Sequence, residues 1–226
     1  MGLFFKPRKY LTQQYEHIMQ PILGDAGFRE FGEFRMARVT GNEVFQSVAL
    51  NLEGSEQQLT ANMLLQVMPL YIPPIQAKGR RGPMLVEKSG TQDELSRFSI
   101  DSKKRINEGF AFYQAELPNF IRTLNQLGRS EALLEAAEGR RRILWMGTNE
   151  AALFYVAHLH LRLGHLDRGL ELLRKALPLV RHMGEIEMMR KIDRLVHTKR
   201  PSEAQINEYL KEFDIENRRR LRIHRW

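Results

Sequence analysis

The segment Ile22-Leu23-Gly24-Asp25-Ala26-Gly27-Phe28-Arg29-Glu30-Phe31-Gly32-Glu33-Phe34-Arg35 constrains the fold more than any other, because the hydrophobic period changes across it. Before it, apolar residues at 11, 15, 18, 19 and 22 recur every three or four positions and predict an amphipathic helix over residues 10–23. Pro21 should end or kink that helix, and Gly24 and Gly27 supply its exit. After it the period falls to two. Phe28, Phe34 and Met36, then Val44, Phe45, Val48, Leu50 and Leu52, predict strands over residues 28–39 and 43–53. Gly41-Asn42 suits the hairpin turn between them.

Leu64, Val67, Met68, Leu70 and Ile72 fit a third strand or a buried helix, and Pro69, Pro73 and Pro74 favour strand and loop. Residues 76–82 read as an exposed loop, and residues 84–87 and 95–100 as one or two further strands. Beyond Asp101 the strand pattern gives way to helix punctuation. Asp101 is placed to cap a helix over residues 103–127 that Pro118 should break or bend midway, and Ser130 to cap residues 131–138. Helices over 149–163, 165–180 and 185–197 follow, and Ser202 opens the last. The expectation is an α+β chain with an N-terminal helix packed on a small antiparallel sheet in residues 1–100. Residues 101–226 form an all-α helical bundle or short array.

The chain has 226 residues, 42% of them hydrophobic, enough for an ordinary core. No run approaches the roughly 18 apolar residues of a membrane span. The absence of cysteine excludes disulfides, thiol nucleophiles and cysteine-ligated zinc, and the simplest compartment is the cytoplasm. The net charge of +8 is uneven: residues 1–100 hold 11 Lys/Arg against 10 Asp/Glu, and residues 101–226 hold 24 against 17. That excess is concentrated in Arg140-Arg141-Arg142, followed by Trp145, and in Arg218-Arg219-Arg220, followed by Trp226. Arginine pairs with phosphate or carboxylate, and tryptophan stacks on bases or anchors interfaces, so both clusters are candidate partner-binding sites. The alternative is a solvated loop and a helix end whose bases complement the dipole.

Other candidates carry less. His158 and His160 lie about 200° apart on a helix, so they cannot face one ion, and one of them should face water. His165 completes the group without supplying a metal-ligand spacing. Glu171 should pair with Lys175 four residues on rather than act as a general base. Residues 79–82, Gly-Arg-Arg-Gly, lack the ending of a phosphate loop. Met183, Met188 and Met189 read as core packing. No catalytic residue, metal or cofactor is expected.

Gly27-Phe28, Gly32, Phe34-Arg35 and the strand ending Val48-Ala49-Leu50-Asn51-Leu52 resemble the family called domain of unknown function 4304, over roughly residues 10–55. The resemblance brings no catalytic residues. It implies a bacterial toxin-immunity context, in which a protein covers its toxin with a complementary surface. Gly164, Gly169, Leu173 and Ala176 resemble one tetratricopeptide-like repeat over residues 147–180, with His160 departing from the usual aromatic. The expected function is a non-enzymatic immunity protein whose toxin presents an acidic face. The alternatives are a basic nucleic-acid-binding accessory protein and an enzyme whose site assembles from distant residues.

Overall fold

The structure, a computed structural model, describes residues 6–55, 59–74, 97–139 and 149–223, with backbone alone at 76–77, 80–81, 84–86 and 144–145. The chain is α+β: an N-terminal helix and a sheet with a five-stranded antiparallel part precede a region of about six helices, and two further short strands, one of them among those helices, bring the described sheet to seven. It forms two compact units. The first comprises Met1–Arg38, Gln46–Gln66 and Lys88–Gln126, and the second Val39–Phe45, Val67–Glu87 and Leu127–Trp226.

In the first unit α1 (Pro7–Gln14) continues through a π-helical turn, Tyr15–Met19, into α2 (Gln20–Asp25). Pro21 does not end this helix. It stands in the first turn of α2, where its missing N–H costs little, and the wider π-turn just before it makes room for the ring. The same turn resets the buried face to a spacing of four, Leu11, Tyr15, Met19 and Leu23. The helix closes where Phe28 N–H donates to Leu23 O at 3.0 Å and Gly27 N–H to Gly24 O at 2.9 Å. Gly27 sits at φ +83°, the left-handed position of that motif.

The stretch predicted as one strand over 28–39 is itself a hairpin. β1 (Arg29–Gly32) pairs with β2 (Arg35–Thr40), Gly32 facing Arg35 across Glu33-Phe34. Phe34 takes φ +54°, a conformation disfavoured for a bulky residue, and its burial holds it there with its ring edge-on to Tyr15 at 5.4 Å. β3 (Val44–Glu53) follows, and β4 (Thr60–Pro69) alternates buried with half-buried residues along its length, the period of a strand with one face in the core. Residues 76–82, predicted as a loop, contain the short ladder β5 (Gln76–Ala77) with β6 (Arg80–Arg81). After β7 (Met84–Val86), β8 (Arg97–Ser99) joins β4 antiparallel, Thr60 facing Ser99.

Helix α3 (Lys103–Gln126) runs through Pro118 unbroken, with Leu117 and Phe120 buried on either side of it. Its N-terminus is capped by Ser102, whose Oγ accepts from Arg105 N–H at 3.4 Å, and not by Asp101, whose carboxylate takes the Arg105 guanidinium at 2.8 Å. A Cβ on Gly109 would lie 2.3 Å from the Phe98 ring, so this glycine lets β8 approach α3. Two arginines are held on neutral acceptors. Arg35 donates to Ser47 and Gln66 with its guanidinium over Phe31, and Arg38 donates to Gln46, Asn125 and the Ala26 carbonyl with its guanidinium over Phe28. Desolvation lowers both guanidinium pKa values.

The second unit begins at the predicted turn. Gly41 and Asn42 take φ +56° and +57°, and Glu43 N–H donates to Thr40 O at 3.1 Å, a type I′ turn. Helix α4 (Ser130–Glu138) precedes β9 (Leu144–Trp145), which pairs with β7. Then come α5 (Asn149–Arg162), α6 (Leu166–Val180), a 3₁₀ turn at Arg181–Met183, α7 (Ile186–His197) and α8 (Glu203–Arg220). Gly164 at φ +78° turns α5 into α6. A Cβ on Gly169 would lie 2.9 Å from the Leu161 backbone nitrogen, so α5 and α6 meet at this small residue. Met188 and Met189 are buried, their methyls closing on Gly184. Ser202 and Gln205 form a reciprocal capping box on α8.

Candidate functional site

The second unit's polar residues converge on the turn residue Glu43, which becomes the cap of α4. Its Oε1 accepts from Ser130 N–H at 3.0 Å and from Ser130 Oγ at 2.8 Å. Ser130 is therefore not the cap but the first residue of the helix, 1% exposed, and the capping anion comes from a side chain 87 residues earlier. Because the serine proton is spent on Glu43, the Tyr71 hydroxyl donates to Ser130 Oγ, at 2.7 Å. Burial pushes the Tyr71 pKa well up, so this hydroxyl keeps its proton. Glu43 Oε2 accepts from Arg162 Nε at 3.0 Å, and the Arg162 guanidinium lies over the Tyr71 ring at 5.4 Å.

These residues form one wall of an open, mostly polar pocket of about 390 Å³. Asn42, Glu43, Tyr71 and Arg162 line it with Asn207, Leu210, Lys211 and Asp214 of α8. Positions 207, 211 and 214 fall three or four apart, which puts them on one helix face. Arg218 Nε binds both oxygens of Asp214, at 3.1 and 3.0 Å, and its Nη2 donates to the Asn42 side chain at 3.1 Å. Asn217, 1% exposed, donates from Nδ2 to the carbonyls of Leu70 at 2.7 Å and Ile72 at 2.9 Å, fixing α8 to the segment that carries Tyr71. Among the described residues the amine of Lys211, the amide of Asn207 and both Nη atoms of Arg162 have no protein partner.

The predicted residues separate accordingly. Arg140, Arg141, Arg142 and Trp226 lie outside the described residues, and Trp145 is described only as backbone in β9. Arg218 stands at the edge of the pocket. Arg220 binds Glu185 at 2.9 Å and Glu216 at 3.3 Å, leaving Arg219 exposed and unpaired among the described residues. Lys211, Arg162, Glu43 and Asn207 were not singled out from the sequence. The only trace there is their neighbours: Asp214 and Glu216 stand four residues before Arg218 and Arg220, a spacing that already neutralises two of the three arginines.

His158 and His160 are both internal rather than divided between core and water, and His165 is the exposed one. His158 is fully buried: Nδ1–H donates to Phe154 O and Nε2 accepts from the Tyr209 hydroxyl, both at 2.8 Å. Desolvation pulls its pKa down to about 4, so it is neutral. His160, 7% exposed, reaches Glu138 at 2.8 Å and His165 at 3.2 Å. No group of three or more His, Asp or Glu among the described residues is arranged to hold a metal. Glu171 takes both Lys175, at 2.6 Å, and Arg168, at 3.0 Å, and these bonds lower its pKa.

Among the described residues no helix is long and apolar enough to cross a membrane. No protein-family model, curated protein or solved structure matches the chain.

Proposed function

We propose that the chain is a cytoplasmic, non-enzymatic protein-binding module that engages an acidic surface, a bacterial toxin-immunity protein in the form its N-terminal resemblance suggests. The observation that carries the reading is a ridge on α8, Asn207, Lys211, Ile215 and Arg219. These residues are spaced four apart and all exposed, with Ile215 at 56%. A large aliphatic side chain left in water between two cations that have no partner among the described residues suits a partner that sets carboxylates around an apolar contact. A phosphate backbone would use the cations and leave Ile215 uncovered. This second feature favours a protein partner over nucleic acid.

The test pairs the chain with the protein encoded beside it and with duplex DNA and RNA. Lys211→Glu with Arg219→Glu should weaken the protein complex by at least about 100-fold, as loss of two interfacial charge pairs implies. Tight nucleic-acid binding that falls steeply with salt would replace this reading with the nucleic-acid one.

A further inference from the structure

The pocket of the second unit presents hydrogen-bond donors that its own described residues do not engage. Its lining carries two carboxylates, Glu43 and Asp214, and two cations, Arg162 and Lys211. Both carboxylates are already engaged. Glu43 is held by Ser130 and Arg162, and Asp214 by both its oxygens on Arg218. Arg218 comes from just outside the lining, as does Glu131, whose charge reaches Tyr71, so the formal charges of the neighbourhood balance. Because Asp214 is taken by Arg218, Lys211 is left without a partner among the described residues, and beside it stand the two Nη donors of Arg162 and the amide of Asn207, also without partners among them.

We infer that this pocket binds a single carboxylate, held by Lys211 with Arg162 Nη and Asn207 as hydrogen-bond donors. The size supports a side-chain-sized guest, since about 390 Å³ falls at the small end of ligand pockets. The charge supports a monoanion: a doubly charged phosphate would set more negative charge beside the two carboxylates already in the wall. Arg162 is preorganised for the task, because Glu43 fixes its Nε and the Tyr71 ring supports its face, which leaves its outer edge presented. The inference deepens the reading above and rests on it for the source of the carboxylate, an Asp or Glu side chain of the acidic partner.

The test uses the full chain and four small probes, N-acetylglutamate methylamide, its glutamine counterpart, succinate and inorganic phosphate, followed by NMR on the side-chain amides of Asn42 and Asn207. The capped glutamate should give saturable shifts at both amides with a dissociation constant in the millimolar range, reasonable for a ligand of this size. The glutamine counterpart and Lys211→Gln should each weaken binding at least about 10-fold, one charge-assisted contact. Equal shifts with the glutamine compound, tighter binding of phosphate, or no saturable shift would overturn the assignment. Asn207→Ala supplies a second variant at an exposed position that the fold does not depend on, and an unchanged affinity there would remove Asn207 from the site. If capped glutamate or succinate binds but Lys211→Gln leaves the partner complex unaltered, the carboxylate comes from a free small molecule. The pocket assignment then stands and the partner reading fails separately.

Discussion

The two units handle buried polar groups in opposite ways. The first holds cations, Arg35 and Arg38, on neutral oxygens and aromatic faces: all three nitrogens of Arg38 and two of the three of Arg35 donate to the unit's own atoms, and among the described residues Arg35 Nη1 alone of the six has no partner. The second organises its network around a carboxylate, Glu43, and stops short of closure at Lys211, Asn207 and the outer nitrogens of Arg162. A nearly closed network rigidifies, whereas one with several donors open at a pocket has them left to give. This difference is why the first unit reads as scaffold and the second as the place to look for a ligand.

The contrast would break first at Asn217. Its amide satisfies two backbone carbonyls, and Asn217→Leu would bury both without a donor, at about 2–4 kcal/mol. Urea denaturation should show this loss, and the pocket probes should lose affinity with it because Tyr71 lies between the two carbonyls. A loss below about 0.5 kcal/mol would mean that α8 is held by packing alone.

Next in size is the pH response of His158. The native imidazole stays neutral down to about pH 4, while the unfolded chain takes up its proton near 6.5. The unfolded state therefore binds more protons between those values. Stability from this group is complete above about pH 6.5 and falls as pH drops toward 4, by at most ~1.4 kcal/mol per unit. His158→Gln should be less stable at neutral pH yet flatter between pH 6.5 and 4.5, and an unchanged slope would place the titration elsewhere.

How much of this was readable beforehand depends on sequence separation. The Gly41-Asn42 turn, the Ser202 cap and the Glu171–Lys175 pair involve partners at most four residues apart, and local pattern located all three. The π-turn and the Glu33-Phe34 reversal are local too. They were missed because each violates the local rule, Pro21 standing inside a helix and a phenylalanine at positive φ. The site is different in kind. Glu43 meets Ser130 and Arg162 across 87 and 119 residues, and a serine before an amphipathic run looks like a cap whichever group does the capping. Lys211 carries no signal of its own, one charged side chain in a helix that also holds four Glu, one Asp and three Arg. Only the missing partner distinguishes it, and that is a property of the fold.

A third comparison uses one substitution in both units. Tyr209 donates to His158, so Tyr209→Phe strands a buried ring nitrogen and should cost about 1–2 kcal/mol. Tyr15 has a buried hydroxyl with no hydrogen-bond partner among the described residues, so Tyr15→Phe should be neutral or stabilise by up to about 1 kcal/mol. Thermal unfolding of the two variants should move the midpoint in opposite directions or leave Tyr15→Phe unmoved. Equal losses would show that Tyr15 is solvated in the native protein.

The smallest effect concerns how the helices stop. The helix of the first unit ends on Gly27, and in the second α5 ends on Gly164, both left-handed. Helix α8 ends with the same pair of bonds, Ile223 N–H to Arg218 O at 2.9 Å and Arg222 N–H to Arg219 O at 3.1 Å, but with arginine in the left-handed place, φ +56°. The arginine carries a steric cost that glycine would not. Against it, glycine loses more entropy on folding, so Arg222→Gly should stabilise by about 0.5–1 kcal/mol at most. Arg222 is exposed and lies outside the pocket lining, so capped-glutamate binding should stay unchanged. If stability rises while affinity for an acidic partner falls, the strained cap is kept for the charge it presents, and the open edge of the second unit extends from Lys211 to the end of α8.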